Sequence, residues 1–115
     1  MLDLIIKNGQ CYINGELKNV DVAIKDGKIQ QIGQILDEAK ETLNAKGLTV
    51  LPGCIDTQTH FREPGSTDTE DLHSGSRAAI VGGITSVFEM PNTNPPTSTK
   101  TEFQRKLDLA KNRMY

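Results

Sequence analysis

Between residues 53 and 65 the chain reads GCIDTQTHFREPG, and four polar side chains occupy alternate positions there: Asp56, Gln58, His60 and Arg62. A strand turns successive side chains to opposite faces. All four would therefore point one way, with Thr57, Thr59 and Phe61 on the other face. Convergent polar groups of this kind make a candidate site, and whether that site works turns on Gln58. Each residue also has a plainer reading. His60 can be a core histidine satisfied by backbone, Arg62 can pair with Glu63, Asp68 or Glu70 at the surface, and Asp56 can brace the strand end. Further on, the loop at residues 92–97 is either a rigid connector or part of a binding surface.

The elements that must hold these residues divide the chain in two. Residues 1–50 read as β structure. DLIIKNGQCYI is a strand running to the turn dipeptide Asn14-Gly15, and VDVAI and KIQQI flank Asp26-Gly27, a strong hairpin signal. Val20, Val22 and Ile24 share one face, with Ile29 on the returning strand. DEAKETLNAKG, residues 37–47, reads as a short helical turn or a loop, and LTVLPG as a strand stopped by Pro52-Gly53.

From Cys54 onward strand and helix alternate. CIDTQTH is a strand, FREPGSTDTE a loop, and DLHSGSRAAIVGG a helix ended by Gly82-Gly83, with His73 facing solvent. ITSVFEM is the next strand, PNTNPPTS a loop that its adjacent prolines keep from being helical. TKTEFQRKLDLAKNRM is a helix with a Thr99/Glu102 capping box and an apolar stripe of Phe103, Leu107, Ala110 and Met114. A β-α-β-α order implies parallel strands. The fold class is α/β, and its two-stranded end leaves open sheet edges.

Bulk properties narrow the function classes. The chain has 115 residues, 24% charged and 36% hydrophobic, with net charge −2, which is enough for one ordinary domain with a core. A mildly acidic balance gives no footprint for nucleic acid, and no apolar run is long enough to span a membrane. MLDLII carries an acid where a signal peptide would be basic, so a cytoplasmic location is the expectation. Cys11 and Cys54 have no metal-type spacing and read as two buried thiols in a reducing compartment, with one disulfide as the alternative. Gly82-Gly83 ends a helix and is not a phosphate loop.

The order of motifs carries more. LPGCIDTQTHFREPG followed by GSRAAIVGGITSVFEMPNTNPPT closely resembles the dihydroorotase branch of the amidohydrolase superfamily, with allantoinases and dihydropyrimidinases as near relatives. The resemblance implies N-terminal β-sandwich strands over residues 1–50. It also implies that residues 51–115 are the first two βα units of an incomplete (β/α)8 barrel. A whole barrel takes roughly 250 residues. In this family a pair of divalent ions, usually zinc, activates a bridging water that attacks the carbonyl of a cyclic amide.

Carried over residue by residue, the resemblance makes His60 the second histidine of an H-x-H metal pair, with Gln58 where the first would stand. A neutral amide oxygen is a poorer zinc ligand than imidazole, which weakens zinc binding by this chain. The remaining ligands and the catalytic aspartate would come from later strands, so no catalytic residue falls within residues 1–115. Arg62 and Asn92 match the groups that hold the substrate carboxylate, and a guanidinium can do so through two parallel N–H bonds.

The implied function is interconversion of dihydroorotate and N-carbamoyl-aspartate, in pyrimidine biosynthesis, by a longer protein of which this is the N-terminal portion. Alone the chain is expected to have negligible turnover. Its ligand would be a small cyclic amide bearing a carboxylate, with allantoin or hydantoin as the alternative substrate class. Self-association or a completing protein partner follows from the open sheet edges. The competing reading is a metal-free, non-catalytic dihydroorotase-like subunit, favoured by Gln58.

Overall fold

The computed structural model describes residues 1–115, and the chain divides into two compact units, Met1–Pro52 and Gly53–Tyr115. The first is built of seven strands: β1 (Leu2–Lys7), β2 (Gln10–Ile13), β3 (Glu16–Asn19), β4 (Asp21–Lys25), β5 (Lys28–Gly33), β6 (Ala39–Asn44) and β7 (Thr49–Val50). They form a four-stranded sheet in the order β5-β4-β1-β6 and a three-stranded sheet in the order β3-β2-β7.

Two-residue turns set the local pairing. At Asn14-Gly15, between β2 and β3, both residues have positive φ (51° and 88°), and so do Asp26-Gly27 (51° and 69°) between β4 and β5. That left-handed pair matches the twist of the strands it joins, which is why asparagine or aspartate followed by glycine is favoured there. The expected β4–β5 hairpin therefore forms. The expected single strand over residues 3–13 does not: it breaks at Asn8, φ 65°, so that β1 and β2 enter different sheets.

Residues 37–47 are not a helical turn or a loop. Most of that stretch is β6, which pairs in parallel with β1 from Leu2↔Ala39 to Lys7↔Asn44. Nothing in its charged sequence favours a strand; the unpaired edge of β1 does, since strand preference follows the neighbour more than the residue. The face shared by Val20, Val22, Ile24 and Ile29 also needs correction. A bulge between Ala23 and Ile24 resets the alternation. Ile29 is 64% exposed, while the core gathers on Ile5, Ala23 and Ile35.

The second unit runs β8 (Cys54–Thr59), α1 (Leu72–Val81), β9 (Ile84–Glu89), α2 (Lys100–Ala110), and β8 pairs with β9 in parallel, as the alternation of elements predicts. Asp71 caps α1 and makes a full capping box with Ser74. At α2 only half of the expected box exists: Thr99 accepts the Glu102 N–H at 3.2 Å, while the Glu102 carboxylate lies 3.7 Å from Arg105. Neither helix is long and apolar enough to cross a membrane. The predicted stripe on α2 faces the interior only at its C-terminal end, where Ala110 and Met114 are half-buried. Phe103 and Leu107 are about half exposed, and Lys106 is the buried residue of that helix.

Candidate functional site

The ladder between β8 and β9 ends with the Met90 N–H donating to the Thr59 carbonyl at 2.8 Å. Beyond it, the two loops that leave the strands stay together, and the Asn94 N–H donates to the Pro64 carbonyl at 3.0 Å. The candidate residues stand on these two segments, at the C-terminal ends of parallel strands. Ligand sites in open parallel sheets lie at such ends.

His60 and Asn92, thirty-two positions apart, meet here: Nδ1 of His60 is 2.9 Å from Oδ1 of Asn92. An amide oxygen only accepts, so the imidazole carries its proton on Nδ1. In the neutral ring Nε2 then has its lone pair free to accept a hydrogen bond or bind a metal. His60 is half-buried, and Asn92 is exposed. The expected alternation holds from Gln58 to Arg62, where Thr59 and Phe61 are buried and Gln58 and Arg62 exposed, but fails at Thr57, which is exposed.

The four polar groups do not converge as one cluster. Asp56 turns back on its own chain, its Oδ1 accepting the Gln58 N–H at 2.9 Å, where the ladder to β9 is irregular. Gln58 and Arg62 have no hydrogen-bonded side-chain partner, and the alternative reading of Arg62, a surface pair with Glu63, Asp68 or Glu70, is not formed. His73 is exposed but engaged, donating from Nδ1 to the Arg113 carbonyl at 2.9 Å.

Two carboxylates hold it, the buried Glu63 and the largely buried Glu89, neither of them expected from the sequence in this role. Glu89 accepts the Phe61 N–H on Oε2 at 3.0 Å and the Lys106 ammonium on Oε1 at 3.3 Å, and Lys106 also reaches the Met90 carbonyl at 3.5 Å. Glu63 receives both Arg113 nitrogens at 2.8 and 3.1 Å and the Leu72 N–H at 2.9 Å. The Arg113 guanidinium holds the Glu63 carboxyl below the usual range, against the opposing effect of its burial. Asp71 is likewise lowered, first by the Ser74 N–H that it accepts. A signal existed for Glu89, a lone acid between Phe88 and Met90 in an apolar strand. Lys106 had none, because it falls beside the expected apolar stripe.

The family's metal can be tested against these side chains. No three histidine, cysteine, aspartate or glutamate residues stand close enough to share one ion. With Gln58 two positions before the single imidazole, the residues of this chain do not compose a zinc site by themselves.

A model of the amidohydrolase family matches residues 49–113, more than half of the chain, and the chain belongs to that family. Among curated relatives, an allantoinase of Escherichia coli O1:K1 is 47% identical over 113 residues, which is 97% of this chain and 25% of that protein. Among solved structures, L-hydantoinase from Arthrobacter aurescens superposes with a TM-score of 0.89 at 34% identity, over 99% of this chain and 26% of that one. A D-hydantoinase gives a TM-score of 0.81 at 37% identity, over 99% and 25%. The chain thus spans about a quarter of the length of the curated relatives it matches.

Proposed function

We propose that this chain is the N-terminal part of a cyclic-amide hydrolase acting on a ureide ring of the allantoin or hydantoin kind. The observation that carries the reading is the 47% identity to an allantoinase across nearly the whole chain, together with the structural match to hydantoinases. In this reading residues 1–50 are the N-terminal part of a β-sandwich and residues 51–115 the first βα units of a barrel. Arg62 and Asn92 bind the ring through N–H donors, and His60 presents Nε2 to it. Bound metal, where the longer protein holds it, supplies an activated water; this chain's share is to bind and orient. The two free thiols, Cys11 buried as expected and Cys54 exposed against expectation, suit a cytoplasmic location.

A second reading keeps dihydroorotate as the ligand. It is favoured by Arg62, an exposed guanidinium with no carboxylate of its own, which suits a substrate that brings one.

The reading is tested by titrating allantoin, hydantoin and dihydroorotate into the isotopically labelled chain and following the Arg62 and Asn92 side-chain signals. Stronger response to allantoin or hydantoin supports the proposal, the opposite ranking selects dihydroorotate, and no response to any ring refutes the binding role. Turnover by the chain alone is expected to be undetectable, and to stay so in Gln58→His with added zinc. Zinc-dependent ring opening by that variant would show that later strands are dispensable.

A further inference from the structure

We infer that Lys106 and Glu89 are positioning residues, a buried ion pair that sets the approach of His60 to Asn92. This deepens the reading proposed above and rests on it in taking His60 and Asn92 as the groups that meet the ligand.

The pair is 3.3 Å apart, with side chains only 10% and 15% exposed, and every contact it makes leads to the site. Through Oε2, Glu89 holds the N–H of Phe61, the residue after His60. Through the Met90 carbonyl, Lys106 holds the backbone two residues before Asn92. One ammonium on α2 therefore fixes both segments whose side chains then meet at 2.9 Å. Stability alone does not call for this arrangement, because a well-packed apolar pair at a buried ion-pair position often serves as well or better. Lys106 is the one buried residue of α2, and it stands where its ammonium reaches both strand ends.

The chain has two histidines, and both set Nδ1 2.9 Å from an oxygen acceptor, the Asn92 amide for His60 and the Arg113 carbonyl for His73. That provides a spectroscopic measurement with its own control, since imidazole nitrogen shifts distinguish the tautomers. His73 reports that the segment after α2 is docked, and His60 reports the site. The measurement is made on the 115-residue chain in mildly alkaline buffer without ligand, so it stands or falls apart from the binding test above. Lys106→Met is expected to release the His60 Nδ1 proton from its fixed tautomer and leave His73 unchanged, and Lys106→Arg to restore the parent spectrum. Should Lys106→Met fail to fold, Lys106→Met/Glu89→Gln leaves no unpaired charge to bury, and the same shift at His60 alone is expected there. His60 keeping its parent signals in whichever of these two variants folds overturns the inference.

Discussion

The two units hold themselves together by different means. Residues 1–52 rely on backbone ladders and two tight turns, and their ion pairs lie at the surface: Lys40–Asp3 at 2.6 Å and Lys18–Glu16 at 3.2 Å. Residues 53–115 have one short, irregular parallel ladder and draw charges inward, with Glu89–Lys106 largely buried and Glu63 buried beneath the half-exposed Arg113. A two-stranded sheet makes too few backbone bonds to fix the loops beyond its ends. Buried charge-assisted bonds do that here, at a desolvation cost that an exposed pair does not carry. The difference marks the second unit as the place where geometry is held for a purpose.

Removing one charge from the interior should show that contrast at its largest. Lys106→Met leaves Glu89 buried without its cation, and breaking such a pair typically costs about 3–5 kcal/mol. Amide exchange should show residues 54–115 losing protection while residues 2–50 keep theirs. Equal loss in both units would contradict the division drawn here.

Next in size is Glu63→Gln, which gives up charge-assisted bonds to Arg113 and a hydrogen bond to Leu72, at about 1.5–3 kcal/mol. It should also change the response to acid. The Glu63 carboxyl is lowered in the folded chain. Its contribution is therefore complete above the ordinary glutamate value of about 4.3 and is lost as pH falls below that through the folded value. Urea midpoints of the second unit should fall over that acid range in the parent and more shallowly in Glu63→Gln.

Gly75→Ala should cost less, about 1–2 kcal/mol. A methyl group there would come within 2.5 Å of the Phe61 ring, and that overpacking outweighs the helix preference of alanine. Because Phe61 follows His60, the His60 signals should move as well. The smallest effect belongs to Asp3→Asn in the first unit. Its exposed bond to Lys40 is screened by salt, and an asparagine oxygen can still accept the Asp26 N–H that Asp3 holds at 2.7 Å, so the unfolding midpoint should stay within error at physiological ionic strength.

What could be read in advance was local. The hairpin at Asp26-Gly27, the β-α-β-α order and the faces around His60 follow from neighbours in sequence. What could not be read depended on distant partners. β6 is a strand because β1 offers it an edge, whereas Asp56 bracing its own strand end was a reading the sequence already allowed. Phe103 and Leu107 lie in a helical stripe, yet Lys106 beside them is buried, because its ammonium reaches Glu89 and the Met90 carbonyl. Asn92 was expected to hold substrate and also proves to orient His60, a pairing that only the fold can create.

The most direct measurement of the central claim is a residue-resolved map of where a cyclic ureide binds. Allantoin titrated into the labelled chain should shift signals within residues 58–66 and 90–98, and Arg62→Ala or Asn92→Ala should abolish the response without changing amide protection elsewhere. Shifts centred on residues 1–52, or a response unchanged in both variants, would contradict the account.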